Sequence, residues 1–435
     1  MDATILGVAG IFAMLLLMFL GLPIAFTLAL VGLGGTVVLL GWSSALPQLH
    51  ITLYSIVSSY SLTVLPFFIL MGFFADVSGI SNEIFGVAEK WLRRLPGGLA
   101  LATIAGCAGF ASISGSSVAT AATMGAVALP EMKKYGYSDS LAAGTVAAGG
   151  TLGFLIPPSV AFVMYGIIAE ESVGKLLIAG YIPGILLAIA FMSIVIIQVK
   201  INPNLAPSNP DPISWKQKII ALKDIWGMLI VFVMVMGGIL FGIFTATEAG
   251  GMGAFVLFVF VILKRRMTRK ILFNTLLRSA TVTCMIFTIL FGAYLFGDFL
   301  TLSQVPTQMI NAMTAISDNK YVIFAMVVVI YLILGCFIES VPMLVLTVPI
   351  ILPLIKAIGF DPIWFGVIVV MMVEAALITP PVGMNVFVIS GLLKNVPMTT
   401  IFKGAMPFVL AILALVILLV IFPQIATFLP RVAMK

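Results

Sequence analysis

Gly153-Phe154-Leu155-Ile156-Pro157-Pro158-Ser159 and Leu377-Ile378-Thr379-Pro380-Pro381-Val382-Gly383-Met384-Asn385 each interrupt an apolar run long enough to span a bilayer. A Pro-Pro pair removes two backbone donors and blocks the preceding carbonyls, so a spanning helix must divide into two half-helices at mid-depth. Backbone freed in this way is tolerated in hydrocarbon only where it faces protein or a cavity. Half-helix ends are suited to ions and anionic groups. Two breaks in matching positions point to a carrier built around them.

The rest of the composition sets that reading in a membrane. Of 435 residues, 62% are hydrophobic and 9% charged, where a soluble chain has about 25% charged. This is an all-α, polytopic membrane protein. The net charge of +6 does not call for a nucleic-acid partner, because the cations cluster in the gaps between spans, where topology explains them. No cleavable leader is evident: the apolar stretch from Ile5 runs through Gly21-Leu22-Pro23 into a second one. Cys107, Cys284 and Cys336 sit singly in apolar segments and read as core packing. The lone His50 reads as a surface group. There is no phosphate-binding loop and no catalytic constellation, so neither ATP hydrolysis nor another enzymatic activity is expected, and no cofactor beyond a coupling ion.

At about 20 residues per span, the first half divides into spans at 3–20, 22–41 and 52–76, with a polar exit at 42–50. An amphipathic stretch covers 82–94. Residues 97–130 are too long for one span, carry Ser112 to Ser117 in the middle, and have basic flanks at both ends. A re-entrant hairpin entering from the cytoplasm satisfies this. A broken helix at 139–169 and a span at 175–198 complete residues 1–198. A connector at 199–225, holding Pro203, Pro207, Pro210 and Pro212, leads to the second half at 226–428. There the spans are 226–244, 249–263 and 272–297, then an amphipathic stretch at 305–317. A hairpin at 320–356 enters from the periplasmic side, followed by a broken helix at 362–393 and a span at 401–428.

The two halves share one register. A shift of 223 residues carries Pro157 to Pro380, Pro158 to Pro381, Pro130 to Pro353, Gly136 to Gly359 and Ser117 to Ser340. With a small gap, Gly32 and Gly35 fall on Gly250 and Gly253. Each half then makes an odd number of crossings, so the halves are opposite in orientation. Loops 90–94, 133–134, 200–223, 264–270 and 394–403 carry the cations and fall inside. Arg431 and Lys435 at the outside C-terminus go against this trend. Inverted repeats whose discontinuous helices meet at mid-membrane are a secondary-transporter architecture.

Ser114 to Ala119 (SGSSVA), Ile156 to Ser159 (IPPS), Leu176 to Gly184 (LLIAGYIPG), Phe244 to Ala249 (FTATEA) and Thr379 to Asn385 (TPPVGMN) together resemble the large membrane subunit of tripartite ATP-independent periplasmic (TRAP) transporters. The resemblance covers nearly the whole chain. It implies an elevator-type carrier in the bacterial inner membrane, with hairpins and broken helices moving against a scaffold. It further implies a sodium gradient, a small four-helix membrane subunit, a soluble periplasmic substrate-binding protein, and an organic acid such as a C4-dicarboxylate or sialic acid as cargo. One departure is Glu339, where the family often carries Asp.

For sodium, hydroxyl and carbonyl oxygens are the fitting donors. Ser114 and Ser117 beside Gly153, Ile156 and Pro158 form one candidate site. Symmetry proposes Gly335, Ile338 and Ser340 beside Ala376, Thr379 and Val382 as a second. Close small-residue packing is the competing account of the serines. Ser116, Ser159, Thr379 and Asn385 are candidates for the substrate carboxylate, with Asn385 equally suited to a structural bridge. Pro157, Pro380 and Pro381 form the breaks. Glu339 and Glu374 are carboxylates at membrane depth and so are functional candidates; Glu339 either attracts cations, pins its hairpin, or is solvated. Glu248 is expected to cap the helix that starts near Ala249. A stand-alone sodium/dicarboxylate symporter, or less readily an ion channel, is the alternative to a binding-protein-dependent importer.

Overall fold

The computed structural model describes residues 2–207 and 213–433; Pro210 and Pro212 of the connector lie outside them. Among the described residues every regular element is helical. The first half opens with α1 (Ala3–Phe19), capped by Asp2, then α2 (Ile24–Leu40), α3 (Trp42–Ser58) and α4 (Val64–Ser78). Residues 42–50, expected as an exit loop, are therefore the start of α3. Gly41 at φ +80° turns the chain after α2, and α3 buries Ala45, Thr52 and Ile56 along one stripe. Its polar remainder hid it from a search for apolar spans. A 3-10 turn at Tyr60–Thr63 leads into α4, so the third span starts near residue 60 rather than 52.

The chain continues with α5 (Ile80–Leu92), the hairpin α6 (Gly98–Ser114) and α7 (Ser117–Lys134), the broken helix α8 (Asp139–Leu155) and α9 (Val160–Ile168), then α10 (Val173–Ala179) and α11 (Tyr181–Ile201). The connector is partly helical, with α12 (Trp215–Ala221) closed by a Ser214–Gln217 capping box. In the second half, α13 (Trp226–Phe232), a π-helical turn at Val233–Gly237 and α14 (Gly238–Leu240) form one segment. It is followed by α15 (Ala246–Leu263), α16 (Arg269–Leu302) and α17 (Val305–Ile316). The second hairpin is α18 (Lys320–Gly335) and α19 (Ser340–Ala357), and the second broken helix is α20 (Pro362–Ala376) and α21 (Met384–Leu392). α22 (Met398–Ile421) ends before Pro423, and α23 (Gln424–Ala433) is a separate helix, which corrects the single expected span at 401–428. Among the described residues seven helices are long and apolar enough to cross a membrane, eight with α8–α9, which bends by 44° at its break.

The 223-residue register recurs in these elements. α7 and α19 start and end at equivalent positions, and both Gly136 (φ +74°) and Gly359 (φ +81°) turn the chain after them. The repeats pack crosswise: α2 lies on α16 while its twin α15 lies on α4, and α7 meets α21 while α19 meets α9. The repeated glycines serve these crossings. A Cβ on Gly32 would lie 2.5 Å from the Phe296 backbone nitrogen, and one on Gly253 would lie 2.4 Å from the Met71 sulfur. α8 is buried at every position from Leu141 to Leu155, and α20 from Trp364 to Ala376. The hairpins and broken helices thus form the centre. α1 and α2, like the outer faces of α11 and α22, expose apolar side chains of the kind lipid covers. Cys107 is buried, but Cys284 is exposed on α16 and Cys336 half-buried, so core packing describes only the first.

Candidate functional site: two hairpin tips against two helix breaks

Gly115, in the left-handed region at φ +64°, ends α6 and lets the first hairpin turn. Its carbonyl accepts from the Val160 N–H at 3.1 Å, on the far side of the break. A Cβ on Gly115 would lie 2.9 Å from the Pro158 carbonyl oxygen, and one on Gly153 would lie 2.5 Å from the Ser116 carbonyl oxygen. Only glycines allow the tip and the break to meet so closely. Ser116 caps α7 by accepting from the Ala119 N–H, and Ser159 caps α9 by accepting from the Phe162 N–H. The Ser159 hydroxyl also donates to the Phe154 carbonyl.

The hydroxyls beneath the tip are linked. Ser114 and Thr120 lie 2.9 Å apart, Thr120 donates to the Ser116 carbonyl at 2.8 Å, and Ser117 donates to Glu374 Oε1 at 2.6 Å. Glu374 belongs to the other repeat and is 0% exposed. The Phe154 backbone lies beside it, and its Oε2 has no hydrogen-bond partner among the described residues. Glu374 is therefore where the two breaks meet, one turn before Thr379 and beside Phe154. Ser114, Ser117, Gly153 and Pro158 are brought together as the sequence proposed. Ile156 is buried there too, with its side chain against Gly184 of α11. Thr120 and Thr151 complete this region and were missed. Both are buried hydroxyls in spans, and that was the available signal.

The second junction has the same layout with different surroundings. A Cβ on Gly335 would lie 2.4 Å from the Ala376 Cβ, so the end of α18 meets the end of α20. Ile338 and Ser340 are buried, whereas Glu339 is exposed and makes no capping bond at the start of α19. Pro380, Pro381 and Val382 are exposed, and Thr379 donates to the Ala375 carbonyl at 2.5 Å. Both Pro-Pro bonds, Pro157–Pro158 and Pro380–Pro381, are cis. Asn385 is fully buried; its Nδ2 donates to the Ala147 carbonyl of α8 at 3.1 Å and its Oδ1 has no partner among the described residues. The candidate substrate residues are thus split: Ser116 and Thr379 keep some exposure, while Ser159 and Asn385 are sealed. Glu248 sits away from both junctions. It closes a capping box with Thr245 at the start of α15, three residues earlier than expected.

The donor set at the first junction is hydroxyl, carbonyl and one carboxylate oxygen, which fits a hard monovalent cation. Cavities lie between this centre and the outer helices. One, of about 830 Å³, is lined by Ser59, Ser61, Glu170, Glu171, Thr245 and Tyr294 among others.

With this architecture in place, the family model described as the DctM component of the tripartite ATP-independent periplasmic transporter matches residues 11–425. The chain belongs to the DctM family. Its relatives include the C4-dicarboxylate TRAP transporter large permease protein of Pseudomonas aeruginosa, 35% identical over 92% of this chain and 93% of that one. The sialic acid TRAP transporter large permease protein of Vibrio cholerae is 30% identical over 98% of each chain. The isethionate TRAP transporter permease protein of Oleidesulfovibrio alaskensis is 34% identical over 96% of this chain, which spans 65% of that longer protein. The fold is also that of the YdaH transporter of Alcanivorax borkumensis, with a TM-score of 0.67 over 89% of this chain and 90% of that one at 15% identity. As a DctM-family chain with seven or more apolar helices, it is a multi-pass protein of the bacterial inner membrane.

Proposed function

We propose that this chain is the membrane carrier of a sodium-driven, binding-protein-dependent importer of an organic acid, working by an elevator movement. The observation that carries the reading is the first junction: a hairpin tip and a broken helix enclose buried hydroxyls and a carboxylate oxygen without a hydrogen-bond partner among the described residues. Sodium would be held by Ser114 and Ser117 with the carbonyls of Gly153, Ile156 and Pro158. A second ion would use Gly335, Ile338, Ser340, Ala376, Thr379 and Val382. The cargo carboxylate would be met by Ser116 and Thr379, with Ser159 and Asn385 holding the half-helix ends in place behind them.

The named substrates of the relatives, C4-dicarboxylates, sialic acid and isethionate, are all organic acids, and they support the class of cargo rather than one member of it. A small four-helix membrane subunit and a soluble periplasmic substrate-binding protein are the expected partners. With the halves inverted and the basic loops inside, the first hairpin would open at the cytoplasmic side. Reconstitution with those partners and measurement of labelled-acid uptake tests the reading. Uptake should require the binding protein and an inward sodium gradient. Uptake that persists without the binding protein would instead identify a stand-alone sodium symporter, and uptake indifferent to sodium would sink the coupling.

A further inference from the structure

One cavity is used by neither junction. The outer leg of the first hairpin, α7, and the outer helices α4, α5 and α16 enclose about 380 Å³. Its polar lining is Arg278, Asp76, Thr123, Ser81 and Asn82. Arg278 lies within α16, a membrane-crossing helix. It stands nine residues from the start of this 34-residue helix, and an ionisable residue inside an apolar span is a functional candidate by default.

The contacts around Arg278 leave its hydrogen-bonding capacity unspent. Its guanidinium carbon lies 4.5 Å from the Phe73 ring centroid. Its Nη1 lies 3.8 Å from Asp76 Oδ2, beyond hydrogen-bond length. The other Asp76 oxygen accepts from the Thr123 hydroxyl of the hairpin at 2.8 Å. The arginine is thus oriented by a ring face and a nearby charge, and its side chain stays 60% exposed. A guanidinium carries five donors in a planar fork matched to a carboxylate.

The repeat supplies a control. The register carries Ala122 and Ala126 of this cavity onto Val345 and Pro349, which line a smaller cavity of about 160 Å³ between α19 and α16. That twin holds Asp298, Tyr294 and Thr301 and no Lys or Arg. The 830 Å³ cavity has no lysine or arginine in its lining, and there Lys356 from outside it pairs with Glu171 at 3.5 Å. Of the three, only the Arg278 cavity has a basic residue in its lining, and it lies at the end where Arg266 packs against Gly79, next to the basic 264–270 loop.

We propose that the Arg278 cavity is a carboxylate subsite for the transported acid at the inward end of its path, with Arg278 as bidentate donor and Ser81 and Asn82 beside it. This rests on the organic-acid reading above. Asp76 keeps the hold weak, which suits release. One wall is the hairpin and the other is outer helix, so a shift of the hairpin changes the cavity.

The test uses the full chain with Cys107, Cys284 and Cys336 replaced, Ala122→Cys added, and reconstitution in phosphatidylcholine so that no anionic headgroup competes. The thiol is reacted with 2-sulfonatoethyl methanethiosulfonate, an anion, and with the trimethylammonium reagent of the same length. The anionic reagent should react about tenfold faster relative to the cationic one than it does in R278Q. Succinate, but not succinamide, should slow it. Because R278Q also removes the stack on Phe73, R278K is run beside it: it should keep the charge preference and lose most of the succinate protection. Equal reagent preference with and without Arg278, or protection only in vesicles containing anionic lipid, overturns the subsite. Labelled-acid uptake by the complete complex is measured in parallel. Intact uptake with unaltered labelling in R278Q sinks the subsite alone, whereas a charge preference without any organic-acid uptake sinks the importer reading and with it the identity of the anion.

Discussion

The two tip-and-break junctions share a backbone plan and differ in almost everything attached to it. The first is sealed: every residue from Leu141 to Val163 is buried, and the tip carbonyl of Gly115 is tied across the break to Val160. The second is open, with Pro380, Pro381 and Val382 exposed. At equivalent positions Ser114 faces Phe337, Thr120 faces Met343, Ser159 faces Val382 and Thr151 faces Glu374. Hydroxyls therefore collect at one end, while the other lends the shared centre a single carboxylate. Duplication set the geometry, and the ligands diverged on it. Two equivalent donor sets are not what such a chain provides.

The largest effect should come from closing the first junction by force. Gly153→Val places a side chain where Ser116 carbonyl oxygen stands, at 2.5 Å from the first added carbon. It should cost about 1–3 kcal/mol of stability and abolish uptake, read by thermal melting in detergent and by proteoliposome flux; wild-type flux would show that the close approach is dispensable. Next, Glu374→Ala leaves the Ser117 hydroxyl only the longer contact to the Thr151 carbonyl at 3.4 Å, a loss of about 1–3 kcal/mol. Glu374→Gln keeps an acceptor and should retain the melting temperature while altering the sodium response. Ser159→Ala removes the cap of α9 and should cost about 0.5–2 kcal/mol; an unchanged melting temperature would mean that the half-helix is held from elsewhere. Smallest is Val382→Ser, which gives the open junction the hydroxyl of its twin. It should shift stability by no more than about 0.5 kcal/mol, and a large gain in sodium affinity would show the second site to be limited by that one missing oxygen.

Much of this was legible because it is written in strong local chemistry. Pro-Pro pairs, a serine run between basic flanks, and a common register specify breaks, hairpins and pairing without any need for coordinates. The amphipathic α5 and α17 were equally plain. What escaped was of two kinds. α3 is helical but polar, carries Pro47, and is too sparsely apolar to be read as a span. The contacts that define the centre join distant residues: Ser117 and Glu374 are 257 positions apart, and Asn385 and Ala147 are 238 apart. No periodicity announces such pairs. Arg278 was visible as a charge inside an apolar stretch, and the span rule passed over it because one cation does not spoil a hydropathy window. Its meaning came only with Phe73 and Asp76 placed beside it.

The outer helix α16 runs unbroken for 34 residues, about 51 Å at 1.5 Å per residue, against a hydrocarbon core of about 30 Å. Its counterpart in the first half is divided into α3 and α4 by Ser59 and the 3-10 turn at Tyr60–Thr63. A rod of that length must tilt or project when the lipid thins, whereas a jointed pair yields at its hinge. The frame around the hairpins and broken helices is thus stiff on one flank and compliant on the other. Acyl-chain length should consequently change the transport rate through α16, and a glycine pair inserted at its middle should make the carrier indifferent to bilayer thickness.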